Sequence, residues 1–487
     1  MASLSSLLLL YPVAAALIWL VPRAVSARVV ALAANGVGLV LALLLLIAFD
    51  PTQSGFQLLE RSAWIPSLNI DYAVGVDGIS VLFLPATALL FLGVNLASWN
   101  TTRELPRLYH SLLLLQAGAT LGVFCAVDTM LFFLFWELSL VPFYFLVSLW
   151  GIGPHRGYAA TKYTLIMFAG GVPLLFGFLL LAFNHAALSG GLSFDLATLL
   201  ATPLPDRLEW IVFLLLFLGF AVKTPVFPLH TWLPLLSMEG PVAVVALLTS
   251  LKLGAYGLIR FAVPLAPDAA QHLHWLLAGL GAFGLLYGAV TALVQTNLRA
   301  MLAYASISHV GLVLLGIASF NLQGVQGAVL QLLNFTLVAG GLFLITGFMQ
   351  HRLGSTDLLS LGGAAKTMPL LASFFLFFGL ASMGVPGTSG FPAELLILVS
   401  AIQTHTGAGL AALFAMVVGA GYFINLYRRA FLGPVTNPGV ATAEDLRPRE
   451  LGLLLAFALL ILGFGLFPAP LLDVIRPAAE VWAGRFR

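Results

Sequence analysis

Four ionisable residues, Glu137, Lys223, Lys252 and Glu394, stand inside stretches of the chain that are otherwise apolar enough to span a bilayer. A charge at the bilayer centre costs about 2.5 to 3.5 kcal/mol on insertion scales, so four uncompensated ones would cost roughly 10 to 14 kcal/mol. The usual offset is that such groups face one another or a hydrated channel inside a helix bundle, where acids and bases pass a proton along. Ion transfer is the chemistry these residue types predict.

The elements that must position them follow from composition. With 61% hydrophobic and 8% charged residues, the chain is too apolar for a soluble globule, whose charged fraction is about 25%. Apolar runs of about 20 residues recur from Leu4 to Phe467, the signature of helices rather than of barrel strands. The fold class expected is an all-α polytopic membrane protein with about fourteen transmembrane helices. A net charge of +2 and the lack of a long basic tract exclude nucleic acid as a partner. The single cysteine, Cys125, excludes an internal disulfide or a thiolate-ligated cluster within this chain, so no cofactor and no metal site is expected.

Charge asymmetry orients the bundle. Counting spans from Leu4, one side collects Arg23, Arg28, Arg103, Arg107, Arg156, Lys162, Arg299, Arg352, Lys366, Arg428 and Arg429. The other collects Asp50, Glu60, Asp71, Asp77, Asp128, Asp195, Asp206 and Asp268, with Arg61 and Arg207 as its few bases. The positive-inside rule then puts both termini on the external face. Two spans are too long and too broken to be ordinary helices. The seventh (209–235) reads AVKTPVFPLHTWLP around Lys223; the twelfth (369–401) reads GVPGTSGFPAE up to Glu394. Proline removes an amide donor and clashes with the preceding turn, so both should open at mid-membrane. Taking spans 4–8 and 9–13 as two five-helix units places the break fourth in each. Since five is odd, the units are inverted relative to one another, the arrangement in which broken helices mark a transport site. The expected organisation is residues 1–108 (three helices), 109–263 (first repeat), 264–430 (second repeat) and 431–487 (a last helix and an amphipathic tail).

The segments FWELSLVPFYFL (Phe135 to Leu146), AVKTPVFPLHTWLP (Ala221 to Pro234), LKLGAYGLIRF (Leu251 to Phe261), AYASISHVGLVLLGI (Ala303 to Ile317) and GVPGTSGFPAELLIL (Gly384 to Leu398) resemble the antiporter-like subunits of respiratory complex I, and YAVGVDGIS (Tyr72 to Ser80) adds to the match. Length, the WELSLVP motif and a glutamate in the twelfth span favour the M type, the counterpart of mitochondrial subunit four. The resemblance implies a proton-translocating subunit in a membrane arm, part of a translocase but with no redox centre of its own. It would sit in an energy-coupling membrane such as the bacterial inner membrane, beside L-type, N-type and small membrane subunits and lipid. It also implies roles. Glu137 would modulate Lys223 through an ion pair, loading or ejecting its proton as the two approach or part; Lys252 would relay protons to the centre; Glu394 would release them outside. His230, Glu239, His309, Tyr256 and Thr336 are supporting candidates. His309 reads as polar glue between helices or as part of a hydrated path, the former favoured; Tyr256 and Arg260 follow Lys252 at helical spacings toward the same cavity, but Arg260 is close enough to the end of its span to snorkel.

Departures from the family pattern matter equally. Where the family has a histidine in the eleventh span, this chain reads LNFTL, with Phe335 in its place; a second family histidine appears as Gly354, and Leu235 and Ser237 alter the HTWLP segment. The link from Lys252 to Glu394 must then run through water, Thr336, Asn334, Gln331 or another group, and the chain reads as a divergent paralogue. Two other readings share these motifs: an Mrp-type cation/proton antiporter subunit, and a membrane scaffold of a complex dedicated to carbon dioxide uptake. Gly279, Gly281 and Gly284 spell GxGxxG, but inside an apolar span without a βαβ context they serve helix packing.

Overall fold

The computed structural model describes residues 3–21, 26–99, 104–435 and 437–486; Arg23 and Arg103 lie outside them. Ten helices among the described residues are long and apolar enough to cross a membrane, and four are shorter and apolar: Leu4–Leu20 ahead of them, and Phe83–Ala97, Pro369–Ser382 and Gly390–Thr404 between them in sequence. Side-chain caps start several. Asp128 accepts from the amides of Met130 and Leu131 at the head of Thr129–Leu138, and Asn297 and Asn321 do the same for Leu298–Ala318 and Leu322–Leu353.

Both expected breaks are present. The helix Asp206–Lys223 stops where Pro225 has no amide to give, and helical structure resumes only at Trp232–Glu239. Pro369–Ser382 gives way to Gly390–Thr404 through Gly384 and Gly387, whose φ values of +63° and +91° are ones that glycine adopts freely. Two further breaks were not foreseen. Thr129–Leu138 and Leu140–Trp150 part at Ser139, because Pro142 cannot donate to the carbonyl of Leu138. The helix Val242–Ser250 also ends, Leu251 is extended, and the chain restarts at Leu253–Gly257 before a π turn over Leu258–Ala262. Lys252 lies in that gap. Each of the four membrane charges therefore stands at, or within about one turn of, a helix break, and at Lys223 a carbonyl beside the break accepts from the ammonium.

The all-α expectation misses one element. Gln57–Ile65 and Ile70–Val76 form an antiparallel hairpin around a turn with Asn69 left-handed. At nine and seven residues these segments are too short for a membrane-spanning helix, and the alternation of Ile70, Tyr72, Val74 and Val76 with smaller or polar neighbours has the strand period. The hairpin leads into Asp77, whose carboxylate accepts from the amides of Ile79 and Ser80 and forms a two-pronged ion pair with Arg260.

Arg260 does not snorkel. It is 8% exposed, clasped by Asp77 and by the Tyr256 hydroxyl, which accepts from its Nε at 3.3 Å. The terminal helix Ala469–Gly484 lies against this region: it buries Leu471, Ile475, Ala478, Ala479, Trp482 and Ala483, and the Trp482 indole donates to the carbonyl of Ile259 at 2.9 Å. Removing one partner of a buried pair leaves an uncompensated charge and costs about 3 to 5 kcal/mol. Asp77→Asn should therefore lower the amount of assembled protein in the membrane several-fold, measured by native gel, whereas Arg61→Gln, on the exposed side of the hairpin, should not.

Glycines set the closest approach between helices. Gly281 and Gly311 face each other, each so near the other's carbonyl that a methyl group on either would collide, which is the packing role expected for Gly281; Gly279 and Gly284 have open space instead.

Candidate functional site

Lys223, the last residue of its helix, is buried. Its ammonium donates to Ser139 Oγ at 2.8 Å and to the Trp136 carbonyl at 3.2 Å, and it sits 4.0 Å above the Trp136 ring. These are the groups freed or exposed by the break at Ser139, so the interruption of one helix supplies the ligands for the charge that ends another. Glu137 follows Trp136 directly. Its Oε1 is buried and has no hydrogen-bond partner among the described residues, and it lies so close to Gly171 that a side chain there would strike it. No direct Glu137–Lys223 ion pair is made among the described residues, so the carboxylate and the ammonium occupy neighbouring but separate positions.

A cavity of about 20 Å³ opens beside Lys223, lined also by Gln116, Thr120, Trp232, Leu251 and Leu253. It has room for one water, and it reaches the gap in which Lys252 lies. Gly254 makes this approach possible: a Cβ there would meet Thr224 and the carbonyl of Phe220 at the end of the Lys223 helix. Lys252 is 3% exposed and donates to Ser306 Oγ at 2.5 Å; its ammonium is 5.7 Å from the centre of the Phe335 ring. Phe335 therefore holds the lysine through its ring face, where the family pattern has an imidazole.

Beyond Lys252 a second cavity of about 20 Å³ is lined by Ser306, His309, Asn334, Phe335 and Ser382. A third, of about 30 Å³, is lined by Ser308, His309, Ser382, Glu394 and Tyr422. His309 belongs to both. Its Nδ1 lies 3.7 Å from Glu394 Oε1, its Nε2 3.5 Å from Ser382 Oγ, and its ring meets Phe335 edge-on at 5.6 Å. Glu394 Oε1 also accepts from Gln331 at 3.4 Å; Gln331 Oε1 in turn accepts from Asn334, whose Oδ1 accepts from the Ser389 hydroxyl. A side chain on Gly384 would collide with Oε2, which keeps that glycine bare. The charges and cavities thus succeed one another from Glu137 and Lys223 through Lys252 and Ser306 to His309 and Glu394, with space for a water at each of three steps.

The remaining candidates stand aside from this row. His230 stacks on Phe227 and reaches the Tyr287 hydroxyl at 3.3 Å. Glu239 accepts from the amide of His155 at 2.7 Å and fastens the 151–155 loop. Tyr256 belongs to the Arg260–Asp77 cluster. The Thr336 hydroxyl donates back to the Leu332 carbonyl of its own helix at 3.3 Å, so it offers no bridge past Phe335. Sequence reasoning missed Ser139, Ser306 and Ser382, and underrated His309. The signal available was the SISH segment, whose Ser306 and His309 are three residues apart and share a helix face.

Comparison with known proteins bears on the chain as a whole. The model of a transmembrane family described as "NADH:quinone oxidoreductase/Mrp antiporter, TM" matches residues 126–419. The chain is 40% identical over 478 residues to NAD(P)H-quinone oxidoreductase chain 4 1 of Synechococcus sp. (strain JA-3-3Ab), covering 96% of this chain and 90% of that relative. It is 38% identical to NADH-quinone oxidoreductase subunit M of Pseudomonas aeruginosa, covering 86% and 84% of the two. A chain in the structure of respiratory complex I from Thermus thermophilus with bound NADH superposes with a TM-score of 0.91 at 32% identity, over 99% of this chain and 100% of that one.

Proposed function

The chain belongs to the NADH:quinone oxidoreductase/Mrp antiporter transmembrane family, and from that membership we propose that it is a proton-translocating membrane-arm subunit of a complex I-like quinone oxidoreductase. It contributes proton transfer; electron transfer takes place in other subunits of the same translocase. The single observation that carries this reading is the succession of three water-sized cavities linking buried ionisable groups at helix breaks.

Fourteen spans, with 109–263 and 264–430 as inverted five-helix units, account for the helices and for the matching positions of the breaks before Trp232 and Gly390. Both termini face outward. Lys223 takes its proton beside Glu137, hands it through the first cavity to Lys252, and Lys252 passes it by way of Ser306 and His309 to Glu394. The ring of Phe335 then flanks the path and carries no proton. Moving one charge against 100 mV requires about 2.3 kcal/mol, a load small enough to be driven by electron transfer elsewhere in the complex. The partners are the neighbouring membrane-arm subunits, of L and N type, and lipid.

Glu394→Gln keeps the hydrogen bond to Gln331 within reach but removes the acid. In the parent complex reconstituted in liposomes it should reduce proton pumping at least tenfold in assembled protein, measured with a pH-sensitive dye while quinone reduction is followed. Unchanged pumping in a fully assembled complex would point to a scaffold role instead.

A further inference from the structure

Away from the buried row, two histidines from separate helices meet at the outer end of the second unit. His274 opens the helix His274–Leu293, and His405 joins Gly390–Thr404 to Thr406–Phe431. His274 Nδ1 is 2.8 Å from His405 Nε2. Their tautomers follow from the next partner. Thr404 Oγ1 already donates, to the Ser400 carbonyl at 2.9 Å or to Ser319 Oγ at 3.2 Å, so it accepts from His405 Nδ1 at 3.0 Å. That leaves the lone pair of His405 on Nε2, directed at His274. An outer partner that fixes the ring and frees one nitrogen is the setting found around metal-bound histidines.

We propose that His274 and His405 together form a site for a divalent transition-metal ion of the zinc class, bridging the outer ends of the two helices. Imidazole nitrogens suit zinc and copper. Zinc held at about 2.0 to 2.1 Å from two nitrogens in tetrahedral geometry needs them about 3.3 Å apart, so the present pair has only to open by about half an ångström as the metal replaces the shared proton. Both rings reach solvent, which supplies the remaining ligands as water. The neighbouring His272 is engaged elsewhere, with Nδ1 on the Asp268 carbonyl at 2.7 Å and its ring against Trp210. His405 follows Glu394 by eleven residues, roughly 16 Å of helix at 1.5 Å per residue. A bound ion would therefore tie the outer end of the Glu394 helix to its neighbour without touching the buried path, and the site stands whether or not that path carries protons.

The test is zinc content. The purified parent complex is equilibrated with micromolar Zn²⁺, freed of excess by dialysis, and assayed by mass spectrometry beside complexes carrying His274→Asn or His405→Asn, each checked for assembly on a native gel. The expected result is one zinc ion per complex more in the wild type than in either variant. Should one variant fail to assemble, the other, on a different helix, gives the same reading. Equal zinc in the wild type and an assembled variant would overturn the site.

Discussion

Lys223→Ala should abolish proton pumping by the parent complex and slow quinone reduction with it, while the subunit still assembles. The expectation rests on where the ammonium sits. It is buried between Trp136, Ser139 and the first water-sized cavity, with Glu137 one residue beyond its carbonyl ligand. Among the described residues that line the cavity toward Lys252, Lys223 is the one that titrates; Gln116, Thr120 and Trp232 do not. Alanine leaves Ser139 with its own bond to the Trp136 carbonyl, so the cost to folding is small while the charge carrier is gone. Lys223→Arg should be nearly as damaging to pumping, because guanidinium does not release its proton and needs a planar fork of acceptors that one hydroxyl and one carbonyl do not supply. A fall in pumping of at least tenfold, with native-gel assembly preserved in the alanine variant, is the result to expect. Pumping by Lys223→Ala at the wild-type rate would exclude the lysine from the path.

What the sequence made legible was set by local chemistry. The membrane class follows from apolar runs long enough to cross a bilayer, and the breaks around Lys223 and before Glu394 follow from prolines and glycines that cannot sustain a helix. The gap at Lys252 has only a weak mark, the single glycine Gly254 two residues on. The residues before it, TSL, and the leucine after it would continue a helix, and the interruption arises because Gly254 lets the restart pack onto the end of the Lys223 helix. That is a tertiary cause, invisible to periodicity. The same holds for Arg260, which read as a snorkelling residue because its partner, Asp77, lies 183 positions away. The hairpin at 57–76 went unseen because attention to long apolar runs passes over short strands between them.

The centre of the path shows the limit most clearly. Phe335 in place of a histidine removes an imidazole between Lys252 and Glu394, and apart from water the named substitutes, Thr336, Asn334 and Gln331, lie on the same helix as the phenylalanine. Of these, Thr336 turns back to its own backbone, and Asn334 and Gln331 support Glu394 from the side. The imidazole that fills the role comes from the preceding helix, where His309 lies between the two cavities. Its position relative to Phe335 depends on the crossing of two helices, which no residue pattern within either one specifies.

The account stands most directly on His309. Replacing it with glutamine keeps a polar side chain of similar reach, able to hydrogen-bond Ser382 and Glu394 but unable to accept and release a proton. The measurement is the number of protons moved per electron pair by the reconstituted complex carrying His309→Gln, with assembly and quinone reduction followed in the same preparation. A path that runs from Lys252 through His309 to Glu394 predicts a lower ratio, with rescue when Phe335→His is added and an imidazole again faces Lys252. An unchanged ratio in the single variant would show that protons reach Glu394 without His309, and would contradict the path proposed through the second unit.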